Sequence, residues 1–305
     1  MAFAAFSSAP SKAASGPVKA SRFVWVLLLP GVFYLGMFFL VPLISLIITS
    51  LGTPDYNSIN FGAYSYGFDL SNYAAALESY YPQIARSFGY ALAATIFALL
   101  ISYPLAYFIG VKLRSRPLLQ KLTLTLVIAP FFISFLLRTI AWKQMLADNS
   151  PFMDLLKNTH LVATDFQFIG TPAAVIFGLT YNFIPFMTLP LYTALERLDI
   201  RYLEAASDLY ASPRTVFGRV TLPLTLPGVI SGTLLTFIPI TGDYVNASQD
   251  FLGSSQTSMI GTMVESEFLK LGNYPQASAL SAILMAAIVI LVALYVRRTG
   301  TEDLL

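Results

Sequence analysis

The sequence predicts an all-α integral membrane protein with six transmembrane helices and a cytoplasmic helix–turn–helix loop between spans four and five. Two observations carry this. The composition is 56% hydrophobic and only 11% charged, far from the usage of soluble domains. The apolar residues gather in six runs, at 24–49, 86–110, 122–142, 173–195, 222–241 and 277–296. Each is near or above the ~20 residues an α-helix needs to cross a ~30 Å hydrocarbon core. Helices satisfy their own backbone groups in lipid, whereas a β-barrel shows ~10-residue alternating segments, which are missing from this chain.

Residues 1–22 are small, polar and basic and read as a disordered cytoplasmic tail. The apolar run that follows exceeds the ~7–15 residues of a signal-peptide core, so it is expected to be retained as span one, with kinks or ends at Pro30 and Pro42. Residues 51–85 read as a polar loop. Span two ends in a short loop holding Lys112, Arg114, Arg116 and Lys121. Span three closes on Arg138 and Trp142, residues suited to the membrane interface. Span four contains Pro185 and Pro190, and the acidic loop 242–276 separates spans five and six. The six-span body is thus 23–298, with a short cytoplasmic tail at 299–305. With the N-terminus inside, thirteen of the eighteen Lys and Arg fall on cytoplasmic segments, which places both termini in the cytoplasm.

Several chemistries find no residues. There is no cysteine, and the one histidine, His160, sits in a polar loop without metal-ligand neighbours, so it reads as solvated. No Gly-Lys pair exists, hence no phosphate-cradling nucleotide loop. No cofactor is expected on this chain, catalysis is not expected, and nothing points to nucleic acid. The carboxylates lie in loops and read as solvated. Span centres carry no ionisable residue, unlike ion-coupled carriers. That leaves a passive channel or a pathway driven by an attached motor.

The stretch Asp199–Pro227 is the longest two-signed polar run between apolar segments. Asp199 is placed to cap a short helix, with Leu203, Ala206 and Tyr210 on one face and Glu204 and Asp208 on another. Ser212-Pro213 supplies the cap and first position of a second helix. The small residues Ala205, Ala206, Ala211 and Ser212 permit close approach. Read by physics alone, the loop either rests on lipid headgroups or docks a partner.

Glu204-Ala205-Ala206, followed by Val220, Leu222 and Pro223, resembles the EAA loop of permease subunits of ABC importers. Tyr210 stands where that pattern has Gly. Ser102 to Tyr107, Ala129-Pro130-Phe131-Phe132, Leu137 to Trp142 and Gly242-Asp243-Tyr244 make the likeness strongest to the spermidine/putrescine class, over almost the whole chain from residue 23. The resemblance implies a bacterial inner-membrane subunit that works with a cytoplasmic ABC ATPase dimer carrying ATP and Mg, a second homologous permease and an extracytoplasmic substrate-binding protein. It implies ATPase docking through Leu203, Glu204, Ala205, Ala206, Asp208, Tyr210, Ser212 and Pro213. Iron(III) and organophosphonate permeases share the loop and are the alternative cargo classes. For a multivalent ammonium, carboxylates and aromatic faces after span five suit passage, which makes Asp243, Tyr244, Asp250 and Glu265 the expected substrate path.

Overall fold

A computed structural model describes residues 22–55 and 60–299. The expected tails at 1–22 and 299–305 lie almost wholly outside these residues. The chain forms two compact units, Met1–Leu46 and Ile47–Leu305. In the first, α1 (Arg22–Leu35) passes through a π-helical turn at Gly36–Leu40 into the start of α2 (Val41–Ser50), which the boundary divides. The widened turn directly precedes Pro42, whose ring would press on the carbonyl four residues back in a regular helix.

The second unit opens with a small antiparallel hairpin, β1 (Thr53–Pro54) against β2 (Tyr64–Ser65), in the register Thr53 to Ser65. Next comes α3 (Ser71–Tyr107), extended by a π turn to Lys112. This helix begins well before the apolar run at 86, because its first turns pack on protein; Ala76 is fully buried against Ile260 and Leu280. After it come α4 (Pro117–Ile128), α5 (Phe135–Leu146), α6 (Pro151–Asn158) and α7 (Pro172–Arg197). The chain continues through α8 (Ile200–Asp208), α9 (Pro213–Val216), α10 (Leu222–Leu224) and α11 (Leu226–Thr241), and ends with α12 (Ile260–Glu265) and α13 (Tyr274–Thr299).

Among the described residues, four helices are long and apolar enough to cross a bilayer, or six if two bent pairs each count as one span. The expected third span is one of these, bent by 93° between Pro117–Phe132 and Phe135–Asn158. The fifth is the other, bent by 67° between Pro213–Leu224 and Leu226–Thr241. Thr225 sits at the second bend, where its hydroxyl meets the Tyr103 hydroxyl of α3 at 2.7 Å.

The core is α3, α7 and α11, and it is built from small residues. Lipid offers helices no hydrophobic drive to associate, so close backbone approach has to supply the contact. Ala91, Ala94 and Ala98 of α3 are fully buried. On α11, Gly228 and Gly232 are spaced one turn apart against α7. A Cβ at Gly228 would meet the Ala194 Cβ at 2.5 Å and the Pro190 carbonyl at 2.9 Å, and one at Gly232 would meet the Met187 sulfur at 2.9 Å.

Candidate functional site

Two regions hold the residues singled out by sequence. The first is the segment joining α7 to α11. The C-terminal end of α7 leaves carbonyls unbonded, and Arg114, just beyond α3, covers them: its guanidinium donates to the Leu198 carbonyl at 2.8 Å and the Glu196 carbonyl at 2.9 Å. That contact fixes the point from which the segment leaves the core. Asp199 then caps α8, its carboxylate accepting from the Arg201 amide at 3.0 Å. Ser212 caps α9, its hydroxyl accepting from the Thr215 amide at 3.3 Å, with Pro213 in the first turn. Both caps are where the residue types put them.

Between the two helices the chain turns at Tyr210, in the left-handed region with φ 53°. The Ala211 amide donates to the Ala206 carbonyl at 3.2 Å and the Tyr210 amide to the Ser207 carbonyl at 2.9 Å, the bond pair that ordinarily ends a helix on glycine. Tyr210 therefore lies beyond the helix and does not share a face with Leu203 and Ala206, as helical spacing had suggested. The residue is 99% exposed. His160 ends α6 with the same backbone turn, at φ 56°, and is exposed, in line with its reading as a solvated residue.

Leu203 and Ala206 are half-buried, whereas Glu204, Ala205, Asp208, Ser212 and Pro213 are exposed. Leu203, Glu204, Asp208 and Pro213 line a cleft of about 440 Å³ together with Tyr107 and Lys112 from the end of α3. The segment is thus a polar ledge tied to the core at Arg114, with its far corner presented outward.

The second region is the loop after α11. Solvation was expected of its carboxylates, but Asp243 and Glu267 are buried, at 7% and 5% exposure. Asp243 turns inward: its carboxylate accepts from the Asn246 amide at 2.8 Å and from the Asn246 side-chain amide at 3.1 Å. Burial is the larger influence on this group, just past the end of α11, and pushes its pKa from 3.8 up to about 6 despite those bonds. Asn246 in turn accepts from Asn182 of α7 at 3.2 Å, and Asn182 also donates to Thr139 of α5 at 3.2 Å. Glu267 accepts a hydrogen bond from the Tyr80 hydroxyl of α3. The loop folds back so closely that a Cβ on Gly178 of α7 would meet the Asn246 side chain at 2.6 Å. Hydropathy scores such a polar stretch as exposed, which is why its burial escaped the sequence reading.

The four candidates for the substrate path therefore separate. Tyr244 and Glu265 line one cavity of about 550 Å³, with Phe268 beside them and apolar walls from Ile238, Leu284 and Met285. Asp250 lines a different, hydroxyl-rich cavity of about 290 Å³ with Ser258, Thr262 and Lys270. Asp243 lines neither and is enclosed by its own loop. Sequence reasoning missed Asn182, Asn246 and Thr139, since uncharged polar residues in or near apolar runs carry no pattern of their own. Among the described residues, no group of three His, Cys, Asp or Glu is placed to hold a metal ion.

Comparison with known proteins fits this architecture. Residues 102–298 match the family of binding-protein-dependent transport system inner membrane components. The spermidine/putrescine transport system permease protein PotB of Haemophilus influenzae is 36% identical over 265 residues, covering 87% of this chain and 90% of that protein. PotB of Salmonella typhimurium is 34% identical over 280 residues, covering 92% and 94%. The inner membrane ABC transporter permease protein YdcU of Escherichia coli is 30% identical over 239 residues, covering 74% of each. Among solved structures, a chain of a bacterial ABC transporter involved in import of the acidic polysaccharide alginate superposes with a TM-score of 0.67 at 16% identity, covering 92% of this chain and 96% of that one; this likeness concerns the fold. With the family model spanning 102–298 and the polar segment seated between the fourth and fifth of its apolar runs, the chain belongs to the family of binding-protein-dependent transport system inner membrane components.

Proposed function

We propose that this chain is the transmembrane permease subunit of a polyamine importer of the ABC class. The observation that carries the cargo is the 36% identity to a spermidine/putrescine permease over nearly the full length of both chains. In this reading both termini and the 199–224 segment face the cytoplasm, where a dimeric ATPase binds the segment and supplies ATP hydrolysis with Mg. A second homologous permease completes the pore, and an extracytoplasmic binding protein delivers substrate.

The outer cavity suits such a cargo. An alkyl chain bearing ammonium groups fits a space with apolar walls, one carboxylate at Glu265 and aromatic faces at Tyr244 and Phe268. Asp250 offers a second, weaker contact, and weak contacts in series favour passage over retention. Asp243 would join the path only once its loop turns outward.

The experiment is uptake of labelled spermidine and putrescine by vesicles holding the complete transporter. Glu204→Lys is expected to abolish ATP-dependent uptake while the chain stays in the membrane. Normal uptake by that variant would remove the docking role. Polyamine flux in liposomes holding this chain alone, without ATP, would instead identify a channel.

A further inference from the structure

One segment walls both cavities assigned above to substrate: α12 together with the π turn that extends it, Ser266–Lys270. Its residues fall on three sides. Val264, Glu265, Phe268 and Leu269 line the cavity of about 550 Å³, and Thr262, Met263, Ser266 and Lys270 line that of about 290 Å³. Ile260 and Glu267 line neither and meet α3 instead. The Ile260 amide donates to the Ser87 hydroxyl at 2.7 Å, and Glu267 accepts from the Tyr80 hydroxyl. Ser87 and Tyr80 lie about two turns apart along α3, as do Ile260 and Glu267 along their own segment. The partition therefore runs antiparallel to α3 and carries a polar bond to it near each end.

The two ends differ in what else holds them. At the start, the backbone packs so closely that a Cβ on Gly261 would collide with the Gly242 carbonyl. Towards the far end stands Glu267, buried, with the Tyr80 hydroxyl as the one hydrogen-bond partner of its side chain among the described residues. Burying a carboxylate without a cation is costly, and a leucine would fill the space without that penalty. A leucine would also leave the segment free to turn, because apolar contact has no direction and a hydrogen bond does. We propose that Glu267 is a positioning residue for transport. Its bond to Tyr80 sets the rotation of the partition and keeps Glu265 and Phe268 turned into the larger cavity. The proposal rests on the reading of these cavities as the polyamine path.

The test is equilibrium binding of labelled spermidine to the complete transporter in detergent, washed free of binding protein. Each titration gives a Kd and, separately, the number of sites. Tyr80→Phe and Glu267→Leu are each expected to raise the Kd about tenfold. The double variant is expected to do no worse than either, because both remove the same bond. Glu267→Gln keeps an oxygen for Tyr80 and is expected to bind as wild type does. An unchanged Kd with fewer sites in Tyr80→Phe and Glu267→Leu would overturn the proposal in favour of a bond that serves folding alone. Tyr80→Phe removes one hydroxyl, so it decides the point even if Glu267→Leu fails to fold. Weakened binding by Glu267→Gln would overturn it in favour of a carboxylate that meets substrate directly. Glu265→Gln separates the proposal from the reading beneath it. An unchanged Kd in that variant would overturn the path reading and the proposal together. A raised Kd there, with no change in Tyr80→Phe, would overturn the proposal alone.

Discussion

The side-chain amide of Asn182, midway along α7, donates to that of Asn246 in the loop after α11 at 3.2 Å. Asn246 uses its own donors on Asp243. One residue thus holds a buried carboxylate and fastens the loop to a membrane helix. Replacing Asn246 with Leu strips the carboxylate of its side-chain bond, keeps the backbone one, and leaves Asn182 with an unused donor. The expected loss is about 3 kcal/mol, and a smaller one in an Asp243→Asn background, where no charge is buried. Thermal unfolding of the single and double variants in detergent measures the difference.

The raised pKa of Asp243 makes stability depend on pH. The folded state holds its proton up to about pH 6, whereas the unfolded carboxyl releases it near 3.8. Between these values the folded state binds more protons, so stability falls as pH rises through the window and is level above it. The full difference is about 3 kcal/mol. Asp243→Asn is expected to flatten this slope, as read from thermal midpoints between about pH 4 and 7.

Tyr210 occupies a backbone conformation that costs an L-residue about 1 kcal/mol and glycine almost nothing. Tyr210→Gly is therefore expected to steady the turn, seen as slower hydrogen exchange at the 209–211 amides. If the exposed ring is an ATPase contact, as proposed, the same variant binds the ATPase more weakly. A variant that is steadier and docks equally well would show the ring to be unused.

Glycines on different helices should respond in opposite directions. Gly228→Val places new atoms within 3 Å of Ala194 and Pro190 and is expected to cost about 3 kcal/mol or more by prising α11 from α7. Gly89→Ala meets nothing within 4 Å and is expected to add about 0.5 kcal/mol as a better helix former. Expression level and thermal midpoint give the sign of each.

Much of this architecture was legible because lipid imposes a simple rule on length and polarity. The six apolar runs became four unbroken helical stretches and two bent helix pairs, and the caps at Asp199 and Ser212 followed from side-chain chemistry within three residues. What stayed hidden depended on lateral neighbours. The early start of α3 and the burial of Asp243 and Glu267 arise from contacts between segments far apart in sequence. Tyr210 sits between the two cases. Its place in the motif was readable, but its left-handed backbone was not, because Tyr gives no sign of a position that a Gly would have marked.

The bend at Thr225 gives the fifth apolar segment a mechanical character. A straight helix transmits a pull along its axis, but here the Pro213–Leu224 limb and α11 meet at 67°, with the Tyr103 hydroxyl of α3 against the corner. Such an elbow converts displacement of one limb into rotation of the other. The second limb, α11, has 16 residues, about 24 Å of helix. Each 5° of turn about the pin sweeps its far end by about 2 Å, and that end leads directly into the loop that encloses Asp243.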